Sequence, residues 1–108
     1  MRGLTCILLT PDRERFEGLV MMAMAHAALH DEGEARTRIF CHAPAVPLLA
    51  LPGGPMLAEA RSLGILFIAC QTGLAEHGLK PEDLVAGTQI SGPIAIFSDL
   101  GDDRLVMC

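Results

Sequence analysis

The sequence predicts a three-layer α/β/α sandwich built on an open, mainly parallel sheet of about five strands. Three observations carry that expectation. Short apolar runs alternate with helix-like segments along the chain. The run at residues 65–70 (Ile65 to Cys70) is continuously apolar, as a strand covered on both faces must be. The chain has 108 residues, enough for one domain spanning 1–108 and too few for two.

The elements follow in order. Residues 3–10 are rich in Ile, Leu and Thr and stop at Pro11-Asp12, where Asp12 can cap a helix. Residues 13–30 then place Phe16, Leu19, Val20, Ala23, Met24 and Ala27 on one helical face. The other face is scarcely more polar, because Met21, Met22, Ala25 and Leu29 leave His26 as its polar interruption. A helix apolar all round is covered on two sides, here by the chain's own sheet and by another subunit.

Asp31-Glu32-Gly33-Glu34 reads as a turn, and residues 35–41 as a second strand before His42-Ala43-Pro44. Pro47 allows only a short or broken helix over 45–51. Beyond the flexible Pro52-Gly53-Gly54-Pro55, residues 56–63 form a helix stopped by Gly64, and 65–70 the third strand. Residues 71–78 are helical up to Gly78, Pro81-Glu82-Asp83-Leu84 make a helical turn, and 87–91 supply a fourth strand. Residues 92–101 fit a helix or a strand, and 104–107 a final strand. Right-handed crossovers connect such strands, and sites lie beyond their carboxyl ends.

Composition removes several classes of function. The chain is 51% hydrophobic and 19% charged, with mean hydropathy +0.41, so it is neither disordered nor a solvated scaffold, and its surface expects protein partners. The net charge of −5 and the lack of Trp and Tyr argue against nucleic acid. The longest apolar run, Leu19 to Ala25, is far below the ~20 residues that span a bilayer. No export signal is read at the start, since Pro11-Asp12-Arg13-Glu14-Arg15 interrupts the first apolar run, and a soluble cytoplasmic protein is expected.

Cysteine holds the chemistry. Cys6, Cys41, Cys70 and Cys108 lack C-x-x-C spacing and are read as thiols rather than a disulfide framework. Cys70 stands at the end of the third strand, immediately before Gln71-Thr72-Gly73 opens a helix. Unpaired N–H groups there, those of Gln71 and Thr72, would stabilise a thiolate. The competing reading is that Cys70 is a small buried hydrophobe. Cys41 and His42 end the second strand on the same edge, where they could activate or resolve a thiol or simply close the strand. Cys6 is read as core and Cys108 as a mobile terminal residue.

Other motifs are weaker. His26 and His30 have the spacing of two zinc ligands, but Ala27 stands where a metalloprotease helix carries Glu, so they are read as packed histidines with no metal. His77 suits the end of its helix. No phosphate loop, dinucleotide fingerprint or nucleophile elbow is present, and no cofactor is expected. Asp99, Asp102 and Asp103 read as a solvated turn.

Residues 67–79, Phe-Ile-Ala-Cys-Gln-Thr-Gly-Leu-Ala-Glu-His-Gly-Leu, followed by Glu82-Asp83-Leu84 and Ile90-Ser91-Gly92-Pro93, resemble the DsrE-like family. The first half agrees, with Asp12-Arg13-Glu14-Arg15-Phe16 entering an Ala- and Met-rich helix, then Arg38-Ile39-Phe40 and Ala45-Val46. The resemblance covers nearly the whole chain. It implies a small α/β/α fold with a mainly parallel five-stranded sheet that assembles into trimers or hexamers. In the sulfur-relay branch a cysteine at the end of the third strand carries sulfur as a persulfide, and Cys70 stands there, while Cys41 matches no family cysteine.

Two functions follow. One is a sulfur carrier or sulfurtransferase subunit acting through Cys70 with donor and acceptor proteins. The other is a non-catalytic homo-oligomeric binding module in which Cys70 is structural. A Cys41–Cys70 redox pair is a third reading.

Overall fold

The structure is a computed structural model that describes residues 2–30 and 34–108. Its strands are β1 (Leu4–Leu8), β2 (Thr37–Cys41), β3 (Leu66–Cys70), β4 (Gln89–Ser91) and β5 (Arg104–Met107). Between them lie helices α1 (Arg13–Ala28), α2 (Gly54–Ser62), α3 (Gln71–Glu76) and α4 (Pro93–Ser98), with 3₁₀ helices at Ala43–Leu49 and Pro81–Asp83. The strands form one parallel sheet in the order β4-β3-β2-β1-β5.

Local chemistry explains the boundaries. Asp12 caps α1 by accepting the backbone N–H of Arg15 at 3.1 Å. Gly64, at φ 88°, provides the left-handed residue that ends α2. Pro47 confines 43–49 to a 3₁₀ helix, because a proline lacks the N–H that an α-helix interior uses. Residues 92–101, open between helix and strand in the sequence, contain α4 with Pro93 in its first turn. Of the expected turn at 31–34, residues 31–33 lie outside the described residues.

The strand order dictates the layers. From β1 to β4 the chain steps one way across the sheet, and from β4 to β5 it returns past β1. Right-handed crossovers therefore put α1 and α4 on opposite faces. The contacts agree: His26 of α1 lies 2.7 Å from Thr37 Oγ1, and the rings of Phe16 and Phe67 are 6.3 Å apart. Across the sheet, Arg38 next to Thr37 donates to the carbonyl of Ile96 in α4. Phe16, Leu8, Phe40, Phe67, Ile39 and Leu49 are fully enclosed between the layers.

Helix α1 buries Phe16, Leu19, Val20 and Ala23. Its other side is bare in the single chain, with Met22 70% exposed and Met21 and Leu29 also open. Ile94, Phe97, Leu105 and Met107 form further exposed apolar surface on α4 and β5.

The acidic residues near the end correct the sequence reading. They are not simply a solvated turn, because the Asp103 side chain is only 6% exposed and takes part in an ion cluster. Asp103 accepts from Arg36 Nε at 2.7 Å and from Thr5 Oγ1 at 2.8 Å, while Arg38 Nε donates to Thr5 Oγ1 at 2.7 Å. Asp99 takes Arg36 Nη1 at 2.8 Å and Arg38 Nη1 at 3.1 Å. Asp102 stays exposed, and its carbonyl accepts from Arg2. A buried guanidinium needs such partners, and Arg38 is the buried cation of the sheet.

Candidate functional site at the carboxyl edge of the sheet

Cys70 is the last residue of β3 and the N-cap of α3, with extended backbone at φ −68° and ψ 125°. Its side chain makes no capping hydrogen bond. The strand-to-helix junction expected there is present, and the first turn of α3 presents backbone N–H groups to it. The thiol itself is covered: Cys70 is 2% exposed, whereas Gln71 and Thr72 beside it are exposed.

Gly73 fixes the position of α3. A Cβ at this residue would fall 2.6 Å from both the Cα and the carbonyl oxygen of Ala43 and 2.7 Å from Val46 Cγ2. Only glycine permits α3 to lie this close to the 3₁₀ helix that follows β2. The two segments that follow β2 and β3 are thus packed together at one edge of the sheet.

Register separates the two strand-end cysteines. Cys41 is opposite Ala69, and Cys70 is opposite Ser91. Side chains alternate along a strand, so Cys41 shares a face with Ala69 while Cys70 points to the other face. Cys41 is fully buried, and burial pushes its thiol up to about 12. That setting is the reverse of the one that makes a reactive thiolate. His42 is half-buried at the N-cap of the 3₁₀ helix, its backbone N–H donating to Leu8 O at 3.0 Å and its ring 6.5 Å from that of Phe40.

The remaining candidates have structural settings. Cys6 lies in the core, and burial, reinforced by Cys108, pushes its thiol up to about 12. Cys108, expected to be mobile, is tied into the edge: its N–H donates to Ile7 O at 2.9 Å and its carbonyl accepts from Leu9 at 2.7 Å. His77 is the C-cap of α3. His26 is satisfied by Thr37, while His30 packs edge-on against it with ring centroids 4.6 Å apart. Thr5 and Arg36 carry no signal of the ion cluster in the sequence; Arg38, in the Arg38-Ile39-Phe40 run, is visible there as an arginine inside a largely apolar strand, but its partners are not.

The fold is a parallel α/β/α sandwich in which Cys70 joins the end of an inner strand to a helix start. Its architecture is similar to that of a protein of unknown function, MTH1491 from Methanobacterium thermoautotrophicum. The two superpose with a TM-score of 0.83 over 100% of both chains at 16% identity. It is also similar to the ychN protein of E. coli, with a TM-score of 0.79, 18% identity and 100% of both chains covered. No family model matches the chain, and no curated protein matches it in sequence. Among the described residues no helix is long and apolar enough to cross a membrane.

Proposed function

We propose that this chain is a DsrE-like sulfur-carrier subunit that works as a homo-oligomer in the cytoplasm and holds sulfur as a persulfide on Cys70. The observation that supports the reading is the place of Cys70, between the carboxyl end of an inner strand and the first turn of a helix. In the reaction the Cys70 thiolate attacks the outer sulfur of a donor persulfide. The donor's S–S bond breaks, the donor leaves as a thiolate, and Cys70 becomes the persulfide with no net oxidation. An acceptor thiolate repeats the exchange. The N–H groups of Gln71 and Thr72 would favour the anion, and Cys41, on the opposite face, has no part.

One observation favours a second reading. At 2% exposure the Cys70 thiol is closed to a protein donor in the resting chain, as a structural cysteine would be. The chain is then a non-catalytic oligomeric module for a small ligand or a protein.

Intact mass spectrometry separates the two. The protein is incubated with polysulfide or a persulfide-loaded sulfurtransferase, alongside Cys70→Ala, and then offered a protein thiol. Added sulfur that passes to the thiol from wild type and is missing from folded Cys70→Ala supports the carrier. Absence of any adduct at Cys70 supports the binding module.

A further inference from the structure

His42 continues β2 past its last residue. Its backbone stays extended at φ −70° and ψ 160°, and its N–H still bonds to Leu8 O of β1 at 3.0 Å. The alternation of the strand therefore runs on through it. Phe40 and His42 share one face, their ring centroids 6.5 Å apart, and Cys41 lies on the other. Phe40 is in register with Ile68 and Cys41 with Ala69, so the next step along both strands sets His42 beside Cys70 on the same face. Neighbouring strands are roughly 4.8 Å apart, which brings an imidazole within reach of a thiol.

Among the described residues the His42 ring makes no hydrogen bond or ion pair, and its contact is with the Phe40 ring. His26, by contrast, is engaged with Thr37. The Cys70 thiol is equally uncommitted, since it makes no capping bond. The surroundings leave the two to each other. On this face β1 and β4 bring Leu9 and Ser91 to the level of the pair, and neither titrates. The 3₁₀ helix 43–49 and α4 contain no titratable side chain. Helix α1 packs on the other face of the sheet, its Asp12 engaged in the cap, and Glu76 and His77 close the far end of α3. Arg38, the next charge on this face of β2, lies toward the other end of the strand and is matched by Asp99 and Asp103.

An imidazole beside a thiol takes its proton and stabilises the thiolate that remains. We propose that His42 is the proton acceptor of Cys70, the two forming an imidazolium–thiolate pair; this rests on the reading of Cys70 as the sulfur carrier. The Sγ–H bond breaks as a ring N–H bond forms, and no oxidant is consumed. When the thiolate takes the outer sulfur of a donor persulfide, the imidazolium returns the proton to the donor thiolate that leaves.

The test follows alkylation of Cys70 by iodoacetamide and its sulfuration by polysulfide as a function of pH, in wild type and His42→Gln. Peptide mapping separates Cys70 from the other cysteines. Near neutral pH the variant is expected to lose both rates about tenfold or more, because a thiol without a partner is only a few per cent ionised there. At alkaline pH, where the thiol ionises unaided, the two proteins are expected to converge, which a merely structural role for His42 would not produce. Should His42→Gln not fold, His42→Phe, which keeps a ring beside Phe40, takes its place. Superimposable pH profiles in wild type and the folded variant overturn the pair and leave the carrier. Alkylation profiles that differ as expected, with no sulfur gained by wild type from polysulfide, overturn the carrier and keep the pair. No reaction of Cys70 with either reagent in the folded chain overturns both.

Discussion

Cys41 and Cys70 end adjacent strands on one edge yet point to opposite faces, because Cys41 is in register with Ala69. The β-sheet itself stands between the two sulfurs. Mild oxidation of the folded protein is therefore expected to leave Cys41 and Cys70 unlinked, and peptide mapping under non-reducing conditions checks it. A Cys41–Cys70 disulfide in protein that keeps its native spectrum would contradict the register.

The thiols of Cys6 and Cys41 are both pushed up to about 12 from an ordinary 9.0, by burial first. A raised folded-state value means that stability is fully present below the unfolded value and declines as pH rises from about 9 toward 12. Urea midpoints are expected to fall across that alkaline window. Cys41→Ala should flatten part of the decline, whatever its own cost at neutral pH.

Gly73→Ala is expected to destabilise the chain by about 1–3 kcal/mol, the range for forcing a methyl into a filled space. The added carbon meets backbone of Ala43, which cannot rotate away as a side-chain tip can. Denaturant unfolding measures the loss, and Gly92→Ala, with open space around its Cβ, is the control.

The ion cluster gives two expectations. Asp103→Ala leaves Arg38 buried with a weakened partner set and is expected to cost about 3 kcal/mol or more, measured by thermal or urea unfolding. Asp99 is exposed, and hydrogen bonding and charge from Arg36 hold its carboxyl below the usual 3.8. Its contribution is present above the unfolded value and lost as pH falls through the folded one. The difference in stability between wild type and Asp99→Asn should accordingly vanish in acid and shrink in salt.

The exposed apolar faces carry the oligomer proposal. Met22→Glu on α1 and Ile94→Glu on α4, at a site 86% exposed, should lower the mass seen by sedimentation without unfolding the chain. A wild-type monomer at every concentration tested would dispose of that part of the proposal.

Most of this architecture was legible in the sequence. The capping Asp12, the spacing from Phe16 to Ala27 and the closed apolar run before Cys70 are local signals, and each led to the element found. What escaped is what only tertiary structure decides. Arg38 could be seen in its strand, but its partners Asp99 and Asp103 are supplied by a distant segment with no local pattern linking them. The Asp-rich stretch looked like a turn for the same reason. At the candidate site, the strand end and helix start could be read, whereas the face taken by Cys41 depends on register, which one residue of slip reverses. The cover over Cys70 likewise comes from packing rather than from its neighbours in sequence.

The strand order has a consequence for how the molecule comes into being. Strand β5 lies beside β1, although nearly all the described chain separates them in sequence. As synthesis proceeds from the first strand, β1 through β4 can pair while one flank of β1 still waits for its neighbour. Long-range pairing of this kind is slow, because a large loop must close before contacts repay it. Until then Arg36 and Arg38 lack both of their carboxylates, and the unpaired flank of β1 is open to other chains. The vulnerable interval in this protein's birth thus falls between completion of β4 and arrival of β5, when a nascent-chain chaperone has most to protect.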